Sequence, residues 1–173
     1  MRRVSLPGWL VIAGTAIGVV LLDQLSKAWV ERNLAIYESL APFPALSKVF
    51  TLTHFTNTGA AFGLLRDQSI LFVVIGLVVV ASVVVYARYL PHDQLLVQFA
   101  LGLQLGGALG NMIDRVRQGH VTDFIYFHFW PAFNIADSAV VVGVILLGIS
   151  ILRQPKEEQA VVAAESDAGE QRV

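Results

Sequence analysis

Residues Gln94 to Ile113 read QLLVQFALGLQLGGALGNMI, without one ionisable side chain. About 20 apolar residues rising about 1.5 Å each span the hydrocarbon of a bilayer. Lipid offers no partner to a free backbone N–H or C=O, so the stretch must be a helix. Gly102, Gly106 and Gly110 recur within it at four-residue spacing, a stripe of small residues on which a neighbouring helix packs closely.

Outward from this helix the pattern repeats. Val4–Leu22 and Gln68–Ala87 are also free of charge, and Phe124–Leu152 carries Asp137 alone, with Pro131 interrupting it. The expectation is an all-α integral membrane protein with transmembrane helices near 8–28, 69–89, 95–113 and 134–152. Composition agrees: 55% of residues are hydrophobic and 14% charged, with a mean hydropathy of +0.65. A soluble domain carries about 25% charge. The net charge of −1 leaves no basic excess for a nucleic-acid partner. With 0 cysteines, disulfides, thiolate metal sites and a cysteine nucleophile are excluded.

Arg2 and Arg3 precede the first span, but its apolar run is longer than the h-region of a cleavable signal and no convincing small-x-small site precedes Asp23, so the helix is read as retained. Residues 155–173, acidic and Ala-rich, read as a disordered tail behind a single 1–154 membrane domain. Between the first two spans lies a polar excursion, 31–67. Its segment Val49–Thr56 is β-branched and aromatic and reads as a strand. A second extended, aromatic piece, Phe124–Trp130, joins spans three and four; the two are candidates for a small sheet at the bilayer surface.

Threading four spans places the end of the first, the start of the second, the end of the third and the start of the fourth on one membrane face. Asp23, Asn57, Asn111, Asp114, Asp123, Asn134 and Asp137 all fall there. Lys and Arg divide evenly between the faces, so positive charge does not orient the chain; Arg2 and Arg3 lean towards a cytoplasmic N-terminus.

Each polar cluster has a plain reading beside a functional one. Lys27 at the end of span one reads as a cation snorkelling to headgroups near the negative helix end. Asp23 suits that end badly and needs a partner. Asn57-Thr58-Gly59 is a turn, followed by the small residues Ala60, Ala61 and Gly63, which admit a close backbone. Asn111 and Asp114 share a helix face, so the amide can donate to the carboxylate; an ion pair of Asp114 with Arg115, Arg117 or another arginine is the plainer reading. Asp137 sits in the first turn of span four, where the helix dipole favours its charge.

The chemistry open to this set is narrow. The 4 histidines are scattered and no His-Glu-x-x-His motif occurs, so no metal or other cofactor is expected. Ser26 and Ser138 lack a nearby His-and-acid arrangement. Two aspartates brought close remain: one shared proton lets the ionised member draw a proton from water while the other polarises a carbonyl. Intramembrane acids also mark ion paths, but a transporter needs polar stations through the bilayer and Gln104 is nearly alone at mid-span. A non-catalytic adaptor leaves the cost of the aspartates unexplained.

Asp23-Gln24-x-Ser26-Lys27, Asn57-Thr58-Gly59-Ala60-Ala61-Phe62, Gly106-Gly107-Ala108-x-Gly110-Asn111-x-x-Asp114-Arg115, Val121-x-Asp123-Phe124 and Phe133-Asn134-x-Ala136-Asp137-Ser138 together resemble the bacterial lipoprotein signal peptidases, the type II signal peptidases. The resemblance implies an aspartyl endopeptidase of the bacterial plasma (inner) membrane that cuts diacylglyceryl-modified prolipoproteins just before the lipidated cysteine. It implies Asp123 and Asp137 as the catalytic pair. It further implies that Asp23, Lys27, Asn57, Gly59, Asn111, Asp114, Arg115, Asn134 and Ala136 support the site or bind substrate. It also implies a monomer in contact with membrane lipid, cytoplasmic termini, an active site near the extracytoplasmic face, a β-cradle from 31–67 and a lid from 124–133. Residues 124–136 form a shorter connection than in some members, which implies a different lid reach.

Overall fold

A computed structural model describes residues 6–59, 65, 67–89 and 94–153. Its order is α1 (Leu6–Asn33), β1 (Ser39–Leu40), a 3-10 turn (Pro44–Leu46), β2 (Phe50–Asn57), α2 (Ser69–Ala87), α3 (Leu95–Gln118), β3 (Val121–Phe127) and α4 (Ile135–Arg153). Among the described residues, 4 helices are long and apolar enough to cross a membrane. The chain is therefore a mostly helical, multi-pass membrane protein with a small sheet. The Arg2–Arg3 pair, Ala60–Gly63 and the 155–173 tail lie outside the described residues.

Helix α3 is the centre of the bundle because its glycines leave room on two sides. A Cβ on Gly102 would lie 2.8 Å from the Ile12 carbonyl oxygen, and one on Gly106 would lie 2.8 Å from that of Ala16, so this stripe is pressed against α1. A Cβ on Gly107 would press into the Ala136 carbonyl oxygen, and one on Gly143 of α4 would lie 2.8 Å from that of Ala100. The stripe is thus a packing surface, as its spacing predicts. Ile12, Val83, Ala87, Val97 and Leu101 form the apolar core. Helix α2, the most apolar span, is largely exposed. It leans on α3, where a Cβ on Gly76 would lie 3.6 Å from the Met112 sulfur.

Helices α1 and α3 run past the predicted ends, to Asn33 and Gln118. Charged residues there do not end the helices; they face one another. The projecting ends carry the sheet: Val30 of α1 and Leu34 just after it pack with Phe124, Leu52, Ile125 and Ile135. Gly119 stops α3 with φ 80°, its N–H donating to the Arg115 carbonyl at 3.0 Å. Glycine takes that left-handed turn freely, and the chain enters β3 two residues later.

The sheet is antiparallel, in the order β1-β2-β3. The two predicted extended segments are strands, shifted by a few residues, and they pair with Phe55 opposite Asp123 and Asn57 opposite Val121. The irregularity between Leu52 and Phe55 bends β2. Residues 124–127, the first part of the stretch expected as a lid, are paired in this sheet, and 128–133 connect it towards α4. That connection folds back on the strand edge: Phe133 N–H donates to the Ile125 carbonyl at 3.1 Å, and the Phe127 and Phe133 rings stack at 6.2 Å.

Candidate active site

Asn57, at the end of β2, begins an Asx turn in which the Gly59 N–H donates to its Oδ1 at 3.0 Å. That bond fixes the other end of the amide: Nδ2 points diagonally across the sheet and donates to Asp123 Oδ2 at 2.9 Å. The turn reading and the site reading of this motif are the same geometry.

Asn134 and Asp137 close the first turn of α4 reciprocally. The Asp137 N–H donates to Asn134 Oδ1 at 2.9 Å, and the Asn134 N–H donates to Asp137 Oδ2 at 3.3 Å. This is a capping box with aspartate in the distal position. With its oxygen occupied by the cap, Asn134 turns Nδ2 to Asp123 Oδ1 at 2.7 Å. Asp137 Oδ1 accepts from Asn111 Nδ2 at 2.7 Å, and Asn111 Oδ1 accepts from Asn134 Nδ2 at 3.1 Å. Amides therefore hold both carboxylates, and Asn134 touches both.

Behind this frame Lys27 is buried at 2% exposure, so it does not snorkel. Its Nζ lies 2.7 Å from Asp23 Oδ2 and 2.7 Å from Asp114 Oδ2, and donates to Asn111 Oδ1 at 3.0 Å. The expected Asn111–Asp114 bond and the expected arginine partner of Asp114 are both replaced. The Asn111 amide reaches α4, and Asp114 pairs with Lys27 and accepts from Gln24 Nε2 at 2.8 Å. Asp23 finds its missing partner in that lysine, and its Oδ1 also accepts the Ala136 N–H at 3.0 Å. Gly110 is required here: a Cβ would stand 2.7 Å from Asp23 Oδ2.

Arg115 lies over the Phe72 ring at 4.8 Å and donates to the carbonyls of Gly59 at 3.2 Å and Asn111 at 3.3 Å, tying the 57–59 turn to α3. Sequence reasoning overlooked two supports. Gln24 bridges Asp23, Asp114 and the Gly110 carbonyl. Glu31 Oε1 accepts from the buried Thr122 hydroxyl at 2.6 Å, beside Asp123. Gln24 was legible as a neighbour of Asp23; nothing in the sequence marks Glu31.

The two carboxylates open onto a cavity of about 680 Å³ whose walls include Phe72, Trp130, Pro131, Phe133 and Val140. Asn57, Gly59, Asn111 and Arg115 line it with them. Asp123 is 3% exposed. Burial, followed by the charge of Asp137, pushes its carboxyl up to about 7, while donation from Asn57 and Asn134 opposes the shift. A carboxyl that keeps its proton near neutrality beside a second carboxylate is equipped for acid–base work on a bound peptide.

Fold and site together define the class, an aspartic peptidase embedded in a membrane. The sequence profile of the family described as Signal peptidase (SPase) II matches residues 15–153. The chain is 45% identical over 145 residues to the lipoprotein signal peptidase of Moorella thermoacetica, covering 83% of this chain and 93% of that one. It is 43% identical over 151 residues to that of Pseudomonas aeruginosa (strain PAO1), covering 82% and 88%. A bacterial membrane enzyme solved by the in meso method at 2.3 Å superposes with a TM-score of 0.78 at 33% identity, covering 88% of this chain and 93% of that one. The chain belongs to the signal peptidase II family, and it is an aspartic endopeptidase of the bacterial inner membrane.

Proposed function

We propose that this peptidase cuts diacylglyceryl-modified prolipoproteins just before the lipidated cysteine, with Asp123 and Asp137 as its catalytic pair. One observation carries the reading: Asn134 bonds both carboxylates, holding them on one wall of an apolar cavity.

At rest the pair holds one proton, on Asp123. A water between the carboxylates gives a proton to Asp137 and attacks the scissile carbonyl carbon; Asp123 gives its proton to the carbonyl oxygen. The tetrahedral diol collapses, the C–N bond breaks, and Asp137 protonates the leaving amine. A diol hydroxyl returns its proton to Asp123, so the pair ends as it began. Asn57, Asn111 and Asn134 hold the carboxylates in register, and Arg115 holds the Gly59 turn beside the peptide path.

The required cysteine belongs to the substrate. Its acyl chains rest in lipid, contributing about 0.8 kcal/mol per buried CH₂, while the backbone lies in the cavity under the 128–133 connection. In this reading both termini are cytoplasmic, the 1–154 domain acts as a monomer with the 155–173 tail in the cytoplasm, and the site faces the extracytoplasmic side. Cleavage of lipidated and unlipidated forms of one precursor tests it. The lipidated form is cut and the unlipidated form poorly; equal rates contradict the reading.

A further inference from the structure

We propose that Lys27 is a positioning residue for the peptidase reaction, its ammonium fixing the Asn111 amide with the NH₂ end towards Asp137. The inference rests on the catalytic-pair reading above.

An ammonium has three donors and no acceptor. Here it pairs with the Asp23 Oδ2 and Asp114 Oδ2 oxygens, 2.7 Å from each, and donates a hydrogen bond to Asn111 Oδ1. The Asn111 atom facing Lys27 must therefore be oxygen, which leaves Nδ2 to donate to Asp137 Oδ1. Asn134 also needs that oxygen as acceptor for its Nδ2. Without the cation the amide is free to turn over. An oxygen would then face Asp137, and an NH₂ would face the Asn134 NH₂. The lysine is itself held on both sides: Asp23 is tied to the first turn of α4 through the Ala136 N–H, and Asp114 is tied back to α1 through Gln24. An amide whose direction matters to a reacting carboxylate is thus set by a charge outside the cavity wall.

Lys27 contacts Asp23 on its own helix and Asp114 on α3, and Asp123 on β3 also feels the charges of Lys27, of Asp137 on α4 and of Arg115 on α3. The field of Lys27 favours the ionised form of Asp123, so removing it moves the pH profile of turnover upward. Taking away Lys27 alone leaves Asp23 and Asp114 buried without their cation, a change that threatens the fold. Lys27→Met is therefore combined with Asp114→Asn, which removes one charge of each sign, and the pair is compared with Asp114→Asn alone.

The measurements are thermal unfolding in detergent, kcat and KM on a diacylglyceryl-modified prolipoprotein, and the pH profile of kcat. The expected result is a folded double variant with kcat about 100-fold below Asp114→Asn and KM within about threefold. Its remaining turnover peaks at higher pH. Equal kcat in the two, a loss confined to KM, an unmoved pH profile or failure of the double variant to fold each overturns the proposal, because Lys27 is then only a pin between helices. Asp123→Asn and Asp137→Asn run alongside: turnover in a folded form of either removes the catalytic-pair reading itself, whatever Lys27 does.

Discussion

Asn134 Nδ2 stands 2.7 Å from Asp123 Oδ1, joining the residue just before α4 to β3. The same side chain caps α4 through its oxygen. Removing it therefore changes two different quantities. Asn134→Ala is expected to lower stability by about 1 kcal/mol through the lost cap and kcat by about 100-fold through the freed carboxylates. Unfolding and turnover measured on one preparation check this; a stability loss with unchanged kcat contradicts it.

The raised carboxyl of Asp123 also carries a stability signature. The native state holds this proton to about pH 7, whereas the unfolded chain releases it near 3.8. Between those values the folded protein binds more protons, so this group's contribution makes stability fall as pH rises from about 4 to about 7 and level off above. Asp123→Asn is expected to remove that slope. Unfolding midpoints across pH 4 to 8, an interval set by the linkage above, give the readout; equal slopes in variant and wild type contradict the buried-proton account.

The same group sets the alkaline limb of activity. Because its proton is transferred in the reaction, kcat/KM is expected to decline above about pH 7. A kcat/KM that holds level well beyond neutrality removes Asp123 as the proton donor.

Glycines on α3 and α1 make a paired test of the packing. Gly107→Ala drives a Cβ into the Ala136 carbonyl oxygen, against backbone that cannot swing aside. Overpacking of that kind costs about 1–3 kcal/mol, and it displaces the residue before Asp137. Gly18→Ala meets nothing within 4 Å and is expected to be neutral or slightly stabilising. Parallel melting curves decide between this contrast and a uniform effect.

Much of this was legible in the sequence because hydrophobic runs and threading are strong constraints. Charge-free windows located all four helices, and connectivity alone brought Asp23, Asn57, Asn111, Asp123 and Asp137 to one end. Partner choice was not legible. Lys27 at a helix end looks the same whether it reaches for headgroups or for two buried carboxylates; only the close approach of α1 and α3 over Gly106 and Gly110 decides. Asn111 and Asp114 share a face by spacing, yet the amide goes to α4, because α4 begins opposite that turn of α3. Helix ends were misread for a related reason. Charges such as Asp114 look like exits from lipid to a hydropathy count, but within the bundle they pair with one another, and the helices continue.

The pairing of Asp123 with Asp137 is tested most directly by cleavage of a diacylglyceryl-modified prolipoprotein in detergent by wild type, Asp123→Asn and Asp137→Asn, each checked for folding. The predicted result is release of the signal peptide by wild type and none by either folded variant. Cleavage at the wild-type rate by either one contradicts the account.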